Sequence, residues 1–257
     1  MQWLSAEALI LDVRDLGERD RLITWLTREH GLVRGAARGA RGKHSRFAGQ
    51  LQPLAKVSAS WTDKESWQLA RLSSAELIAS ADFLHRELED LLLGEYLAEQ
   101  CVQFSVENEV GVLPYRLLDS TLEALRQGVD RDLAARFFEV WMLRIAGVFP
   151  QLETCAACSE PLTAAAAVLV VEEGLFCRRC APSPLPVGAM ELSREAVTFL
   201  EASTKVRLRE LALSPPPRQA LRLVERACAQ IRRTFLQYEL RSYQVMKKTL
   251  QGLPQDP

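Results

Sequence analysis

Four cysteines carry the plainest chemistry in this sequence. Cys155, Cys158, Cys177 and Cys180 form two C-x2-C pairs with eighteen residues between them, inside the roughly 15–20-residue spacing of a zinc ribbon. Two cysteines in one tight turn can aim both thiolates at one ion, and two such turns complete a tetrahedral S4 shell. Four protein ligands leave no open coordination position, so the pattern predicts one structural Zn2+ and no reaction at the metal. The other readings are two redox pairs or four core thiols. The regular spacing, in a stretch without helical periodicity, favours the metal.

A second set of residues is cationic. Residues 38–46 read RGARGKHSR, with Arg34 just upstream and Phe47 next to the last arginine. Glycines keep such a loop pliable, Arg34, Arg38, Arg41, Lys43 and Arg46 can contact phosphates, and a neighbouring aromatic can stack on a base. The alternative is a solvated loop that happens to be basic. Further on, Arg218, Arg222, Arg226 and Arg233 fall within roughly an 80° arc at about 100° per helical residue. Ala220, Val224, Ala227, Cys228, Ile231 and Phe235 fall on the opposite side. The apolar side is expected to pack and the cationic side to face a polyanion or simply water.

Several catalytic patterns are excluded. Gly42-Lys43 lacks the P-loop's first glycine and its Ser or Thr, since Ala37 and His44 stand there. His85-Arg86-Glu87 resembles the H-x-E of zinc deaminases, but Thr154 replaces the proline that should precede C-x-x-C. There are three histidines, and no G-x-S-x-G serine accompanies them. The chain is expected not to be an enzyme.

Charge is distributed unevenly. Net charge is −1, yet residues 1–80 hold 12 basic and 9 acidic side chains, residues 81–153 hold 6 and 14, residues 154–204 hold 3 and 6, and residues 205–248 hold 11 and 3; Asp256 adds one more acid. Basic ends around an acidic middle suit a polyanionic partner. Cys101 and Cys228 lie in apolar helical patterns and are expected in the core, and free thiols suit a reducing compartment. No apolar run is long enough to cross a bilayer, and Met1-Gln2-Trp3 leads directly into a strand-like segment without a signal region. A cytoplasmic protein is expected.

The elements that position these residues follow from periodicity. Residues 3–13, 21–27, 32–37, 54–62 and 66–72 read as five short strands with turns such as Asp63-Lys64-Glu65 between them, predicting a small closed barrel over 1–79. From Ser80 the period becomes helical: Leu84, Leu88, Leu91, Leu92 and Tyr96 form one stripe, residues 117–125 another, and Leu133, Phe137, Val140 and Trp141 a third. The remainder, 80–257, is expected to be a helical domain with the zinc ribbon at 155–180 embedded in it. Residues 167–171 and 175–176 form the hairpin that presents the second cysteine pair, and Pro182, Pro184 and Pro186 form a non-helical exit. The fold class is therefore α+β.

In this order the parts resemble a known family. The stretch GERDRLITWLTREHG over 17–31, the loop at 38–46, Leu51-Gln52-Pro53, the two C-x2-C pairs and Leu240-Arg241-Ser242 are together similar to the RecO family of bacterial recombination mediators, over essentially the whole chain. The resemblance implies a five-stranded OB barrel, a helical domain and a zinc knuckle. It also implies binding of single- and double-stranded DNA and ATP-independent annealing of complementary strands. Implied partners are RecR, RecF and the acidic tail of single-stranded DNA-binding protein, with RecA loaded indirectly and no membrane involved. Family loops often carry lysine or arginine where this chain has Gly42 and His44. The competing class is a zinc-ribbon OB-fold module that binds RNA, which would depend on the 2′-hydroxyl.

Overall fold

The first strand is long enough to serve two neighbours, and this closes the N-terminal sheet on itself. The computed structural model describes residues 1–64, 66–107, 109–162 and 165–251; Glu65 of the expected turn and Asp256 lie outside the described residues. Strands β1 (Gln2–Leu16), β2 (Asp20–Thr27), β3 (Gly31–Ala37), β4 (Lys56–Asp63) and β5 (Ala70–Ala79) form a closed barrel in the order β1-β2-β3-β5-β4. Gln2 to Leu9 pairs with β4, and Ala8 to Leu16 pairs with β2. The register shift between Ile10 and Asp12 lets one strand turn that corner. Parallel pairing of β3 with β5, through Gly35–Ala70 and Ala36–Arg71, seals the barrel. The strand pattern predicts a small closed barrel, and this order is the five-stranded OB arrangement that the resemblance implies.

Alternation puts Ile10, Ile23, Trp25, Val33, Val57, Trp61 and Leu72 inside. The rings of Trp25 and Trp61 meet edge to face, 5.6 Å apart, a favoured aromatic geometry. Gly35 is required beside them, because a Cβ there would stand 2.5 Å from the Trp25 ring and 2.8 Å from the Ala70 carbonyl oxygen.

The fifth strand differs from the sequence expectation of 66–72. Trp67 N–H donates to Lys64 O (2.8 Å) and closes a turn, so the strand begins at Ala70 and runs to Ala79. β4 likewise starts at Lys56 rather than residue 54, since Leu54 holds a left-handed φ of 62°.

The chain forms two compact units, residues 1–119 with the segment from Arg241 onward, and residues 120–240. In the first unit the barrel is joined by α1 (Leu88–Phe104), the start of α2 (Val112–Arg126) and α7 (Arg241–Gln251). Glu99 on α1 accepts from the backbone N–H groups of Arg241 (3.2 Å) and Ser242 (2.7 Å), and it also binds the Ser242 hydroxyl. It supplies the acceptor that the first turn of α7 needs. Cys101 is fully buried on α1, as expected, and burial pushes its thiol pKa upward.

The second unit holds α3 (Arg131–Ile145), a three-stranded sheet of β6 (Ala167–Val170), β7 (Gly174–Cys177) and β8 (Met190–Leu192) in the order β7-β6-β8, then α4 (Arg194–Lys205), α5 (Leu208–Leu211) and α6 (Arg218–Leu236). The hairpin was anticipated; β8 was not. Asp130 caps α3 by accepting from Leu133 N–H (3.0 Å), and Ser193 caps α4 through Ala196 N–H (3.3 Å). No helix among the described residues is long and apolar enough to cross a membrane.

Between α3 and α6 runs a buried chain of charges. Arg136 meets Glu139 (2.7 and 3.0 Å) and Glu225 (3.3 Å), while Arg232 reaches Glu139 (4.0 Å) and binds Glu239 (2.7 Å). The Glu139 and Arg232 side chains are wholly buried. Removing one member leaves an uncompensated charge in a low-dielectric interior. Glu139→Ala should lower unfolding stability by about 3–5 kcal/mol in urea titrations, and Glu225→Ala, which removes a partner nearer the surface, should cost less.

Candidate metal centre and nucleic-acid interface

The four cysteines of the ribbon converge. Their Sγ atoms all lie within 4.8 Å of one another, with Cys158 and Cys177 4.0 Å apart. A tetrahedral Zn–S shell at about 2.3 Å places sulfurs roughly 3.8 Å apart, so the cluster has the dimensions for one ion. No disulfide links them. The first knuckle is held by Cys155 N–H to Glu160 O (2.9 Å) and by Ala156 N–H to Leu175 O (2.8 Å), which ties it to β7. The second continues from the end of β7, where Cys180 N–H donates to Cys177 O (3.0 Å).

Electrostatics within the cluster favour thiolate at one end and resist it at the other. Desolvation opposes ionisation of Cys155, but backbone N–H groups of Cys158, Cys177 and Ala157 outweigh it and bring the thiol down to about 6. Cys177 is lowered chiefly by the Cys180 N–H. Cys180 is pushed up to about 12 by its hydrogen bonds to Cys158 and Cys177 together with burial. Four adjacent thiols cannot all ionise unless a cation offsets their mutual repulsion. The donor set and spacing thus suit a metal ion, with the closed shell of a structural site.

The cationic residues lie in two places, each described within its own unit. Residues 38–46 leave the end of β3 as consecutive turns, pinned by Gly39 N–H to Asp20 Oδ1 (2.8 Å) and Arg41 N–H to Arg19 O (3.1 Å). Phe47 and Leu51 fold back into the barrel core. Arg38, Lys43 and Arg46 are exposed and make no ion pair among the described residues; Arg46 lies over the Phe47 ring at 4.9 Å. Phe47 is therefore a core residue and not a free stacking surface. Arg41 is engaged locally, donating to Gly17 O (2.6 Å) and facing Asp15 (3.3 Å). Arg34, on the outside of β3, is paired with Glu107 at 2.9 Å. Glu107 itself bridges to Gly31 and Leu32.

On α6, Arg218, Arg222, Arg226 and Arg233 are all exposed and free of ion pairs among the described residues. Ala220, Val224, Ala227, Cys228 and Ile231 are buried, so the two faces fall where the helical phase puts them. Phe235 departs from this pattern and is 52% exposed. Sequence reasoning missed Arg232, whose helical phase beside Cys228 was the available signal. It also passed over Trp67 and Arg71, whose guanidinium stands 4.4 Å above the indole.

Comparison with known proteins bears on the same two halves. The model of the recombination protein O N-terminal domain matches residues 1–81, and that of the C-terminal domain matches residues 85–248. The chain belongs to the RecO family. A DNA repair protein RecO of Syntrophus aciditrophicus is 31% identical over 190 residues, covering 71% of this chain and 73% of that protein. One from Koribacter versatilis is 29% identical over 233 residues and covers 91% of both chains. One from Geobacter sulfurreducens is 33% identical over 190 residues, covering 74% of this chain and 77% of the relative. The RecO models together span the barrel, the ribbon and α6.

The anchoring of the loop gives a direct test. Arg41→Ala should speed backbone amide exchange at Gly39 and Gly42. Global stability should fall by less than about 1 kcal/mol, because the contacts lie at the surface.

Proposed function

We propose that this chain is a RecO-type recombination mediator. It would bind single- and double-stranded DNA, anneal complementary strands without ATP, and help RecA load onto DNA coated by single-stranded DNA-binding protein. The observation that carries the reading is a closed OB barrel whose 38–46 loop offers the exposed cations Arg38, Lys43 and Arg46, without an ion pair among the described residues, in a chain whose relatives are DNA repair proteins. Annealing requires a surface that neutralises two repelling phosphate backbones and leaves base edges free to pair. Cations on a pliable loop do this without reading sequence. No step calls for a catalytic residue.

The DNA-contacting set is Arg34, Arg38, Arg41, Lys43 and Arg46 on the barrel, and Arg218, Arg222, Arg226 and Arg233 on α6. Arg34 and Arg41 exchange a carboxylate partner for phosphate, so each adds less affinity than Arg38, Lys43 or Arg46. In this reading residues 1–79 are the DNA-binding barrel, and 80–257 form the helical domain that meets RecR, RecF and the tail of single-stranded DNA-binding protein. The site of action is the cytoplasm, at the nucleoid. The metal held by Cys155, Cys158, Cys177 and Cys180 is one structural Zn2+, the ion that two C-x2-C knuckles at ribbon spacing suit.

The deciding assay is annealing of complementary oligonucleotides coated with single-stranded DNA-binding protein, without ATP. Acceleration that weakens with salt is expected; no acceleration, with tight RNA binding instead, would overturn the proposal. Replacing Arg38, Lys43 and Arg46 together with Ala should flatten the log-log salt dependence of DNA binding by about 2–3. For the metal, one zinc per chain is expected by elemental analysis. Cys155→Ser should lower metal content and melting temperature together, and chelation of the wild type should lower the melting temperature as well.

A further inference from the structure

The outer wall of the barrel carries an aromatic and cationic face that the loop at 38–46 does not use. Strand register defines it. Ala36 pairs with Arg71, Arg71 with Thr62, and Thr62 with Trp3, so these residues form one row across β3, β5, β4 and β1. Their neighbours Ala70, Trp61 and Leu4 belong to or pack against the interior, and by alternation this row lies on the outer side of the sheet, where Thr62 is covered (6% exposed) between the exposed Arg71 and Trp3. Trp3 is 66% exposed. Arg71 is exposed and makes no ion pair among the described residues, and its guanidinium lies over the half-exposed indole of Trp67.

The next row is Ser74, Ser60 and Ser5, with Ser60 Oγ donating to Ser5 Oγ at 3.1 Å. These short side chains keep the middle of the face low and polar. The row after that, Glu76, Ser58 and Glu7, carries carboxylates at both ends, which repel a phosphate backbone and bound the face on that side.

We propose that Trp67, Arg71 and Trp3 form a base-stacking subsite for single-stranded DNA. The inference rests on the DNA-binding reading above and adds the part of the ligand recognised here, the unpaired base. Three features carry it. Trp67 lies in the connection between β4 and β5, one of the two loops through which OB barrels take oligonucleotides. A tryptophan under a guanidinium offers a flat, cationic π surface on which any base can stack. Among the described residues nothing acidic pairs with Arg71, so its charge is available to the backbone of the strand whose base is stacked. Bases in a duplex hide their faces, so this subsite separates single from double strands, whereas cations on the 38–46 loop bind both.

The test is fluorescence anisotropy with a labelled oligothymidylate and with a duplex of the same length, each at several salt concentrations. Trp67→Ala should weaken oligothymidylate binding about ten-fold. It should leave duplex binding and the salt slope unchanged, because no charge is removed. Trp67→Phe should keep most of the affinity, and Trp3→Ala should show a smaller, single-strand-specific loss. As an independent readout, oligothymidylate should quench the intrinsic fluorescence of the wild type, and Trp67→Phe should remove much of that quench. Unaltered binding by Trp67→Ala, or equal loss on both ligands, would overturn the subsite. If the wild type binds neither ligand, the DNA-binding reading itself fails. If only the loop variants weaken binding, that reading stands and the subsite alone falls. Concentration-dependent dimerisation abolished by Trp3→Ala, with oligothymidylate binding intact, would assign Trp3 to contact between copies of this chain and remove it from the subsite.

Discussion

Glu139 is a full negative charge with no access to water, and the helical unit is arranged around keeping it neutralised. Arg136 from its own helix and Arg232 from α6 converge on it, and Glu225 and Glu239 occupy the remaining guanidinium donors. Such a network adds little net stability over an apolar core, but its geometry is demanding. The same rotation of α6 that buries Ala220, Val224, Ala227, Cys228 and Ile231 brings Arg232 within 4.0 Å of Glu139 and leaves Arg218, Arg222, Arg226 and Arg233 on the outside.

The same helix illustrates what sequence can and cannot carry. A stripe of arginines at a 3.6-residue period is visible because one face must be apolar. The inward charges were hidden for the same reason: α3 is buried on nearly every side from Leu133 to Val140, so no polar face remains to mark Arg136 and Glu139 as unusual. In the barrel, alternation made the five strands legible, yet the start of β5 was misplaced. Ser66 to Leu72 has strand-like composition, and nothing local reveals that Trp67 closes a turn onto Lys64. The loop cations were legible as charges, but not their partners, because Glu107 and Asp15 are brought to Arg34 and Arg41 by tertiary folding.

The cysteine cluster was the most legible feature, since coordination geometry acts directly on spacing. Two residues between cysteines fit one turn, and the hairpin of β6 and β7 spans the rest. The sequence could not show the asymmetry among the four thiols, because Cys155 draws amides from Ala157 and Cys158 in its own turn and from Cys177 at the end of β7.

The clasp between Glu99 and the first turn of α7 has a consequence for the order of assembly. The N-terminal unit is discontinuous, and its last helix is encoded after the whole of the second unit. On a ribosome, the barrel and α1 emerge first, while the backbone groups that satisfy Glu99 arrive only after residue 240. Until then that carboxylate faces open solvent on an unfinished surface. Completion of the first unit is thus a late, long-range event, and the second unit is in effect an insertion whose ends must be brought together before the chain is whole.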